Sequence, residues 1–152
     1  MRLKLVFSLA VLAALLGGCA GQQGINKVAA AATTAPIPVW TEPELYSYTL
    51  ESSCGERALI GKFAVTVTDG RVTKTVGLDA SSRRALMLRL SRLVPTLAQM
   101  AAEAETARAA DADEVVIQHD PVDGHPVSIR IDPSRSTADD ESCYEISAFK
   151  AA

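Results

Sequence analysis

Polar and apolar residues alternate along several short stretches of the chain, and this alternation predicts half-buried β-strands. Each stretch is bounded by Gly, Pro, Asp or Ser residues, which favour turns. Five stretches alternate in this way, and a sixth, residues 115–118, is a compact apolar run. The alternating stretches are residues 45–50, 62–68, 72–78, 127–132 and 144–148.

The clearest hairpin signal is the Asp69-Gly70 pair between the second and third stretches. Asp-Gly suits a type I′ turn, which needs positive φ at both central positions. A two-residue loop fixes the register and places the apolar residues of both strands on one face. The predicted pairs are Thr68 with Arg71, Val67 with Val72, and Phe63 with Val76.

Helical spacing appears in two stretches between the third and fourth strands. Thr96 and Gln99 have the spacing of a capping box, and an alanine-rich helix is predicted over residues 97–110. Residues 79–94 predict a short amphipathic helix, although alternating leucines at 86, 88 and 90 also suit a strand. The inner positions of this short helix are predicted to be Leu86, Leu90, Leu93 and Val94.

The predicted order of elements is therefore β-β-β, a short helix, the main α-helix, and β-β-β. An antiparallel sheet of about six strands with the main helix packed on one face is an α+β architecture. Cys54 ends the first strand and Cys143 begins the last. These ends lie side by side in antiparallel neighbours, so we expect a disulfide there that protects an otherwise exposed sheet edge. Tyr144, Ile146 and Ala148 are expected on the inner face of the last strand.

The beginning of the chain has the pattern of an export signal. Arg2 and Lys4 precede an apolar run over residues 5–16, which is shorter than the roughly 20 residues of a membrane span. The Leu-Gly-Gly-Cys sequence ending at Cys19 resembles the lipobox of bacterial lipoproteins. The resemblance implies a signal peptide over residues 1–18, cleavage before Cys19, a diacylated thiol and an acylated amino terminus. A cleaved signal that leaves a soluble secreted protein is the alternative.

Residues 19–40 are rich in Ala, Gly, Gln, Thr and Pro, without an apolar period. They predict a flexible tether from lipidated Cys19 to a single domain over residues 41–150. More than one acyl chain gives stable membrane attachment, so we expect a lipid-anchored protein of the cell envelope. The residue after the cysteine is Ala20 and not the Asp that is associated with inner-membrane retention in such lipoproteins, so the outer membrane, on its periplasmic side, is expected if the host has two membranes.

The charge of the chain is mildly acidic. Its 15 basic and 18 acidic residues give −3, and removal of residues 1–18, which hold two basic residues, gives 13 minus 18, or −5. This balance provides no general attraction to nucleic acid. In an oxidising compartment, Cys54 and Cys143 are expected to form a disulfide, and metal-binding or redox thiols are the alternative.

Both histidines of the chain lie in one short segment, residues 119–125. Imidazole and carboxylate groups bind metals and carry protons, so one interpretation is a metal site or an acid–base pair. The other is a hairpin turn whose Asp and Gly residues serve the backbone geometry. The residues of this candidate binding turn are His119, Asp120, Asp123, Gly124 and His125, and no metal is assigned to them.

Three further clusters each have a functional and a structural interpretation. The acidic cluster offers oxygen ligands for calcium, or is a solvated loop. The arginine cluster contacts anionic headgroups or an envelope polymer, or is the solvated face of a helix. The tyrosines form a recognition surface, or pack in the sheet. The clusters are Asp132, Asp139, Asp140 and Glu141; Arg83, Arg84, Arg89 and Arg92; and Tyr46, Tyr48 and Tyr144.

The sequence contains no recognisable catalytic motif. It has no Gly-x-Ser-x-Gly elbow and no Gly-rich phosphate loop, and the lipid and disulfide assignments leave no free thiol. We expect a non-catalytic binding or accessory module without a cofactor, whose partners are the membrane, through Cys19, and an envelope protein or polymer. The alternatives are a metal-binding envelope protein that uses the candidate binding turn, and an inhibitor-like module that presents a hairpin turn to an enzyme cleft.

Four segments together resemble the bacterial envelope lipoproteins grouped as Domain of Unknown Function 6174. The segments are residues 46–50 with Cys54, residues 65–72, residues 119–132, and residues 139–141 with 144–149. The resemblance covers about residues 40–150, the whole predicted domain. His119, Asp123 and His125 stand where the family pattern has aromatic residues. The resemblance implies the predicted fold and an envelope location, and it implies no activity.

Overall fold

The computed structural model describes residues 36–55 and 59–152. These residues belong to one compact unit, Ala35–Ala152. The predicted signal peptide, Cys19 and most of the predicted tether lie outside the described residues. The elements are β1 Leu45–Ser52, β2 Gly61–Thr68, β3 Arg71–Gly77, α1 Ala80–Met87, a 3-10 helix Leu90–Leu93, α2 Leu97–Ala109, β4 Glu114–His119, β5 Pro126–Asp132 and β6 Ser142–Ala151.

The six strands form one antiparallel sheet in the order β3-β2-β1-β6-β5-β4. Helix α1 packs on β2 and β3, and α2 packs on β4 and β5, so that the helices and one sheet face share a single apolar core. The predicted α+β class is confirmed. The core holds Tyr46, Tyr48, Leu50, Phe63, Val65, Val67, Leu97, Met100, Ala104, Ile129, Ile131, Tyr144 and Ile146, among others.

The predicted disulfide between Cys54 and Cys143 is confirmed, with Cα atoms 5.3 Å apart. It joins the end of β1 to the beginning of β6, where the Ser53 N–H donates to the Cys143 carbonyl at 3.2 Å. The expectation that this bridge protects a sheet edge is wrong. The first and last strands are the two central strands, and the edges are β3 and β4.

The β2–β3 hairpin has the predicted turn but not the whole predicted register. Thr68 pairs with Arg71 and Val67 with Val72, as expected, and a β-bulge then shifts the pairing by one residue. Phe63 therefore lies opposite Gly77, and the predicted pairing of Phe63 with Val76 is wrong. Val76 lies opposite Ala64 and is exposed, because a one-residue shift moves a side chain to the other face of a strand.

A second irregularity corrects the inner face of β6. Tyr144 and Ile146 are buried as predicted, but Ala148 has φ of +52° and is exposed. The register of β1 with β6 shifts at this point, between Ser47 and Thr49. Phe149 therefore packs against the core in place of Ala148, with its ring centroid 5.7 Å from that of Tyr46.

Helix α1 begins at a side-chain cap. One carboxylate oxygen of Asp79 accepts from the Ser82 N–H at 2.7 Å, and the other accepts from the Lys62 N–H on β2 at 2.8 Å. This cap favours an α-helix here, whereas the alternating leucines at 86, 88 and 90 would also have suited a strand. The pKa of Asp79 is lowered, chiefly by the hydrogen bond from the Ser82 backbone, because these donors stabilise its charged form.

The predicted helix over residues 79–94 is shorter than expected. It ends at Met87, and Arg89 with φ of +59° turns the chain into the 3-10 helix. Leu86 and Leu90 pack against the core and Val94 is buried, as predicted, whereas Leu93 is exposed. Neither helix of the described residues is long and apolar enough to cross a membrane.

Helix α2 has the predicted capping box, in which Thr96 Oγ1 accepts from the Gln99 N–H at 3.2 Å and the Gln99 side chain accepts from the Thr96 N–H at 2.9 Å. The next free N–H, at Leu97, donates to the Tyr46 hydroxyl at 3.1 Å, and that hydroxyl donates to Glu42. The beginning of α2 is therefore fixed to β1 and to the residues just before it. The N-terminal backbone donors of a helix require such partners when they are buried.

Candidate functional site

The candidate binding turn joins β4 to β5 between His119 and Pro126. The Asp120 N–H donates to the His125 carbonyl at 2.8 Å, and the Gly124 N–H donates to the Asp120 carbonyl at 3.0 Å. The Asp120 carboxylate accepts from the Val122 N–H, also at 2.8 Å. Asp120 therefore organises the turn backbone, which is the structural role that the sequence pattern allowed.

The two histidines lie in different surroundings. His119 is exposed, and its Nδ1 lies 2.9 Å from the Gly124 carbonyl, an acceptor only, so this nitrogen carries a proton. His125 is buried, and its ring stacks on Phe149 with centroids 4.2 Å apart and an interplanar angle of 19°. Its Nδ1 lies 2.5 Å from a carboxylate oxygen of Asp123.

Asp123 holds His125 in two ways. The same carboxylate oxygen contacts the ring nitrogen and accepts from the His125 backbone N–H at 3.1 Å. The side-chain hydrogen bond from His125 is the main reason why the pKa of Asp123 is lowered, and the backbone hydrogen bond adds to it. The Asp123 side chain is about half exposed, so solvent screens part of this interaction.

Three of the four predicted ligands converge. One ligand atom each from Asp120, Asp123 and His125 lie within 4.8 Å of one another, and this is the only such group of three or more His, Cys, Asp or Glu side chains in the described part of the chain. His119 is not in the group. An imidazole and two carboxylates suit zinc, but a metal at Nδ1 of His125 would have to replace its contact with Asp123.

The residues that precede β1 lie against this turn. Gly124 has φ of +79°, and a Cβ atom built on it would lie 2.1 Å from the Pro38 carbonyl oxygen and 3.3 Å from the Trp40 nitrogen. Trp40 continues into the core, edge-on to Tyr46. The described end of the predicted tether, residues 36–40, therefore contacts the turn instead of running free, and Gly124 permits that contact.

An open groove of about 370 Å³ lies between this segment and the turn. Ala101 of α2 contributes to one wall, and Ile37 and Val39 leave much of their apolar surface exposed. The groove is lined by Ile37, Pro38, Val39, Trp40, Ala101, His119, Gly124 and Pro126. His119 is thus the histidine that a molecule in the groove would meet, whereas His125 faces the core.

The other predicted clusters are dispersed or buried. Within residues 36–55 and 59–152, the side chains of the acidic cluster do not form a group of three ligands. Their arrangement therefore does not support the calcium interpretation. Tyr46, Tyr48 and Tyr144 are core residues, and burial raises the pKa of both Tyr46 and Tyr48. They do not form a surface, which leaves the packing interpretation of the tyrosines. The four arginines lie exposed on α1 and beside or within the 3-10 helix.

Sequence reasoning missed three features around these clusters. The contact between Pro38 and Gly124 joins residues 86 positions apart, so no local pattern indicates it. The Asp79 cap was available from the Asp-x-x-Ser spacing with Ser82. The exposure of Met87 and Leu88 at the end of α1 depends on where that helix stops, which the apolar spacing left open.

The folded part of the chain matches a family profile. A profile of the family of unknown function (DUF6174) matches residues 40–151, which include every strand and helix of the structure. Comparisons with curated proteins and with solved structures returned no match.

Proposed function

Because the chain belongs to the DUF6174 family, whose description names no activity, we propose its function from its own residues: a lipid-anchored, non-catalytic binding protein of the bacterial cell envelope. The structural observation that carries this proposal is the Cys54–Cys143 disulfide between the central strands. Disulfides of this kind form and persist in oxidising, extracytoplasmic compartments. That compartment agrees with the export pattern of residues 1–18 and with the lipobox-like sequence ending at Cys19.

The proposal includes the finer assignments that follow from the anchor. Removal of residues 1–18 leaves Cys19 as the amino terminus, and acyl chains on its thiol and amine, palmitate among them, hold the protein on the membrane. Ala20 favours the outer membrane, on its periplasmic side, in a host with two membranes. A non-catalytic role agrees with the candidate binding turn, where His125 is buried against Phe149 and His119 donates to a backbone carbonyl.

The intact mass of the protein purified from membranes tests the anchor. We expect a chain that starts at Cys19 and carries acyl mass, and we expect alkylation of Cys54 and Cys143 only after reduction. A matched Cys19→Ser chain should carry no acyl mass and should keep the disulfide. An unmodified Cys19 in the purified protein, or thiols at 54 and 143 that react without reduction, would contradict the proposal.

A metal-binding role is the second candidate, and the convergence of Asp120, Asp123 and His125 within 4.8 Å favours it. A metal that binds only the native state must stabilise it. Excess zinc should then raise the melting temperature of the parent and of His119→Gln, which lies outside the group, but not that of Asp123→Asn. An unchanged melting temperature of the parent in zinc would eliminate this role.

A further inference from the structure

Two large apolar side chains project from the end of α1. Met87 is 83% exposed and Leu88 is 64% exposed, although Leu86 and Leu90 on either side pack against the core. The segment that joins α1 to the 3-10 helix therefore has apolar residues on its inner and its outer side. The outer residues, Met87 and Leu88, do not belong to the core. Adjacent exposed apolar side chains rimmed by polar residues are one contribution to an interaction surface, and the charges around them decide which kind.

Three arginines close to this apolar pair in sequence have no ion pair among the described residues. Arg84 precedes it on α1, Arg89 follows it directly, and Arg92 lies in the 3-10 helix. All three are exposed, and none has an ion pair with a carboxylate in the part of the chain that the structure describes. The arginines that do form pairs lie elsewhere: Arg108 with Glu105, and Arg130 and Arg135 with Glu114.

A shallow groove extends the same surface toward the sheet edge. It lies between β3 and the 3-10 helix and has a volume of about 440 Å³. Arg92 supplies a cation to its lining, which also includes three hydroxyl-bearing residues and no carboxylate, whereas the register opposite Thr66 places the Lys74 side chain on the outer face of the sheet. The lining residues are Val72, Thr73, Lys74, Thr75, Ser91 and Arg92. Such a groove suits the oxygens of a phosphate group, which accept from guanidinium and hydroxyl donors.

The groove begins near residues 36–44, which precede β1. The Asp69 N–H at the tip of the β2–β3 hairpin donates to the Glu44 carbonyl at 2.7 Å, and Leu45 pairs with Thr68. The first groove residue, Val72, follows this hairpin tip by two positions. Residues 36–44, through which the domain is connected in sequence to Cys19, are therefore near the hairpin from which the groove begins.

We propose that this surface, which we call the α1 knuckle and define as Arg84, Met87, Leu88, Arg89 and Arg92, docks on an anionic lipid bilayer. Met87 and Leu88 enter the interfacial region, and the cations contact the phosphate headgroups. A soluble polyanion would satisfy the cations but would offer no apolar phase to Met87 and Leu88, which is why we assign a bilayer. The proposal does not depend on acylation of Cys19, so the two can fail separately.

Quenching of tryptophan by brominated lipid tests the knuckle in the full chain. The chain carries one tryptophan, so a Trp40→Phe background allows a reporter to be placed by Leu88→Trp or, as a control on the opposite sheet edge, by Val116→Trp. We expect vesicles of brominated phosphatidylglycerol and phosphatidylethanolamine to quench the reporter at position 88 and not the one at position 116. Equal quenching at both positions, or none at position 88, would overturn the proposal.

Vesicle binding by Ala35–Ala152 separates the knuckle from the anchor, because this unit contains the whole core, both helix caps and the disulfide. Each arginine near an anionic surface contributes about fivefold in partitioning. Removal of Arg84, Arg89 and Arg92 together should therefore weaken binding about a hundredfold, and Met87→Ser with Leu88→Ser should weaken it at least about tenfold. The matched control removes Arg108, Arg130 and Arg135 and changes the net charge equally.

The outcomes of this second experiment are distinct. Binding to phosphatidylglycerol vesicles that exceeds binding to phosphatidylcholine vesicles, and that falls only in the knuckle variants, supports the proposal. Equal losses in the knuckle and control variants would overturn it, because general charge alone would then explain the binding. Binding to soluble polyphosphate without binding to vesicles would also overturn it and would assign the surface to an anionic polymer.

Discussion

Two turn glycines of this protein have similar backbone angles but different surroundings. Gly70, at the tip of the β2–β3 hairpin, has φ of +68°. The atom closest to a Cβ added there would be a carboxylate oxygen of the flexible Glu42 side chain, at 3.7 Å. Gly124 has φ of +79° and lies directly under the Pro38 carbonyl. A side chain at Gly70 would therefore strain only the backbone, whereas one at Gly124 would also displace the segment before β1.

We accordingly expect different costs for the same substitution. Gly70→Ala should lower the free energy of unfolding by about 1–2 kcal/mol, the cost of left-handed φ in a residue with a Cβ atom. Gly124→Ala should lower it by about 1–3 kcal/mol more, because Pro38 must move. Urea denaturation measures both. The fluorescence of Trp40 should change only in Gly124→Ala, and equal costs with unchanged fluorescence would show that the Pro38 contact is unimportant.

At the scale of elements, α1 begins with a capping box in which the Asp79 side chain also bonds to the sheet. Asp79 accepts from Ser82 in the helix and from Lys62 in β2, so the cap also fixes the helix to the sheet. Asp79→Ala removes both acceptors and should cost about 1–2 kcal/mol of unfolding free energy. Asp79→Asn keeps a carbonyl acceptor and should cost less. Urea denaturation at neutral pH measures this difference, and equal costs for the two variants would contradict the assignment of the cap.

The Asp79 carboxyl group should also make the free energy of unfolding depend on pH. Its pKa in the folded protein is lowered below the unfolded value of about 4, so its contribution is fully present above pH 4 and is lost as the pH falls through the lowered pKa. The stability difference between the parent and Asp79→Asn should therefore shrink as the pH is lowered from about 5 to 2. A difference that is constant over this range would show that the charge of Asp79 does not contribute.

The elements also show where prediction from sequence succeeds and where it stops. Alternation located five strands and helical spacing located α2, because side-chain periodicity follows directly from which face is buried, and a compact apolar run located β4. These patterns could not locate the three register shifts, at Thr66/Val67, Ser47/Thr49 and Gln118/His119, because a bulge is a backbone event that leaves the alternation on each side intact. The misplaced inner positions, Val76 and Ala148, both follow from these shifts.

Prediction of the candidate site was limited in a similar way, because local sequence patterns do not show contacts between distant residues. The turn itself was predictable, because Asp120, Pro121 and Gly124 are local signals for backbone geometry. The unequal roles of His119 and His125 were not, because they depend on Phe149 and on the Pro38 segment, which are distant in sequence. Of the α1 knuckle, the sequence showed only the arginines, as three members of the predicted arginine cluster, and the exposure of its apolar residues depends on where α1 ends.

At the scale of the whole molecule, the disulfide is the only covalent link between the first and last strands in the described part of the chain. It closes a loop with a sequence separation of 89 residues, and the chain-entropy relation gives about 4–5 kcal/mol for a loop of this length. Cys54→Ser with Cys143→Ser should lower the free energy of unfolding by up to this amount. Cys19→Ser should leave it unchanged, and denaturant unfolding of the three chains compares them. Equal midpoints in all three would show that the bridge does not stabilise the domain.

The position of β1 at the centre of the sheet also determines how the domain resists mechanical force. Tension applied at residue 36 loads β1, which is hydrogen-bonded along its length to β2 on one side and β6 on the other. A pull along this strand must shear two ladders at once, whereas an edge strand has only one. If β1 does slide, Cys54 still joins it to Cys143, so that extension stops at the covalent bridge. A chain held at its amino-terminal side thus has its point of attachment on a strand that is bonded on both sides and not on an edge strand.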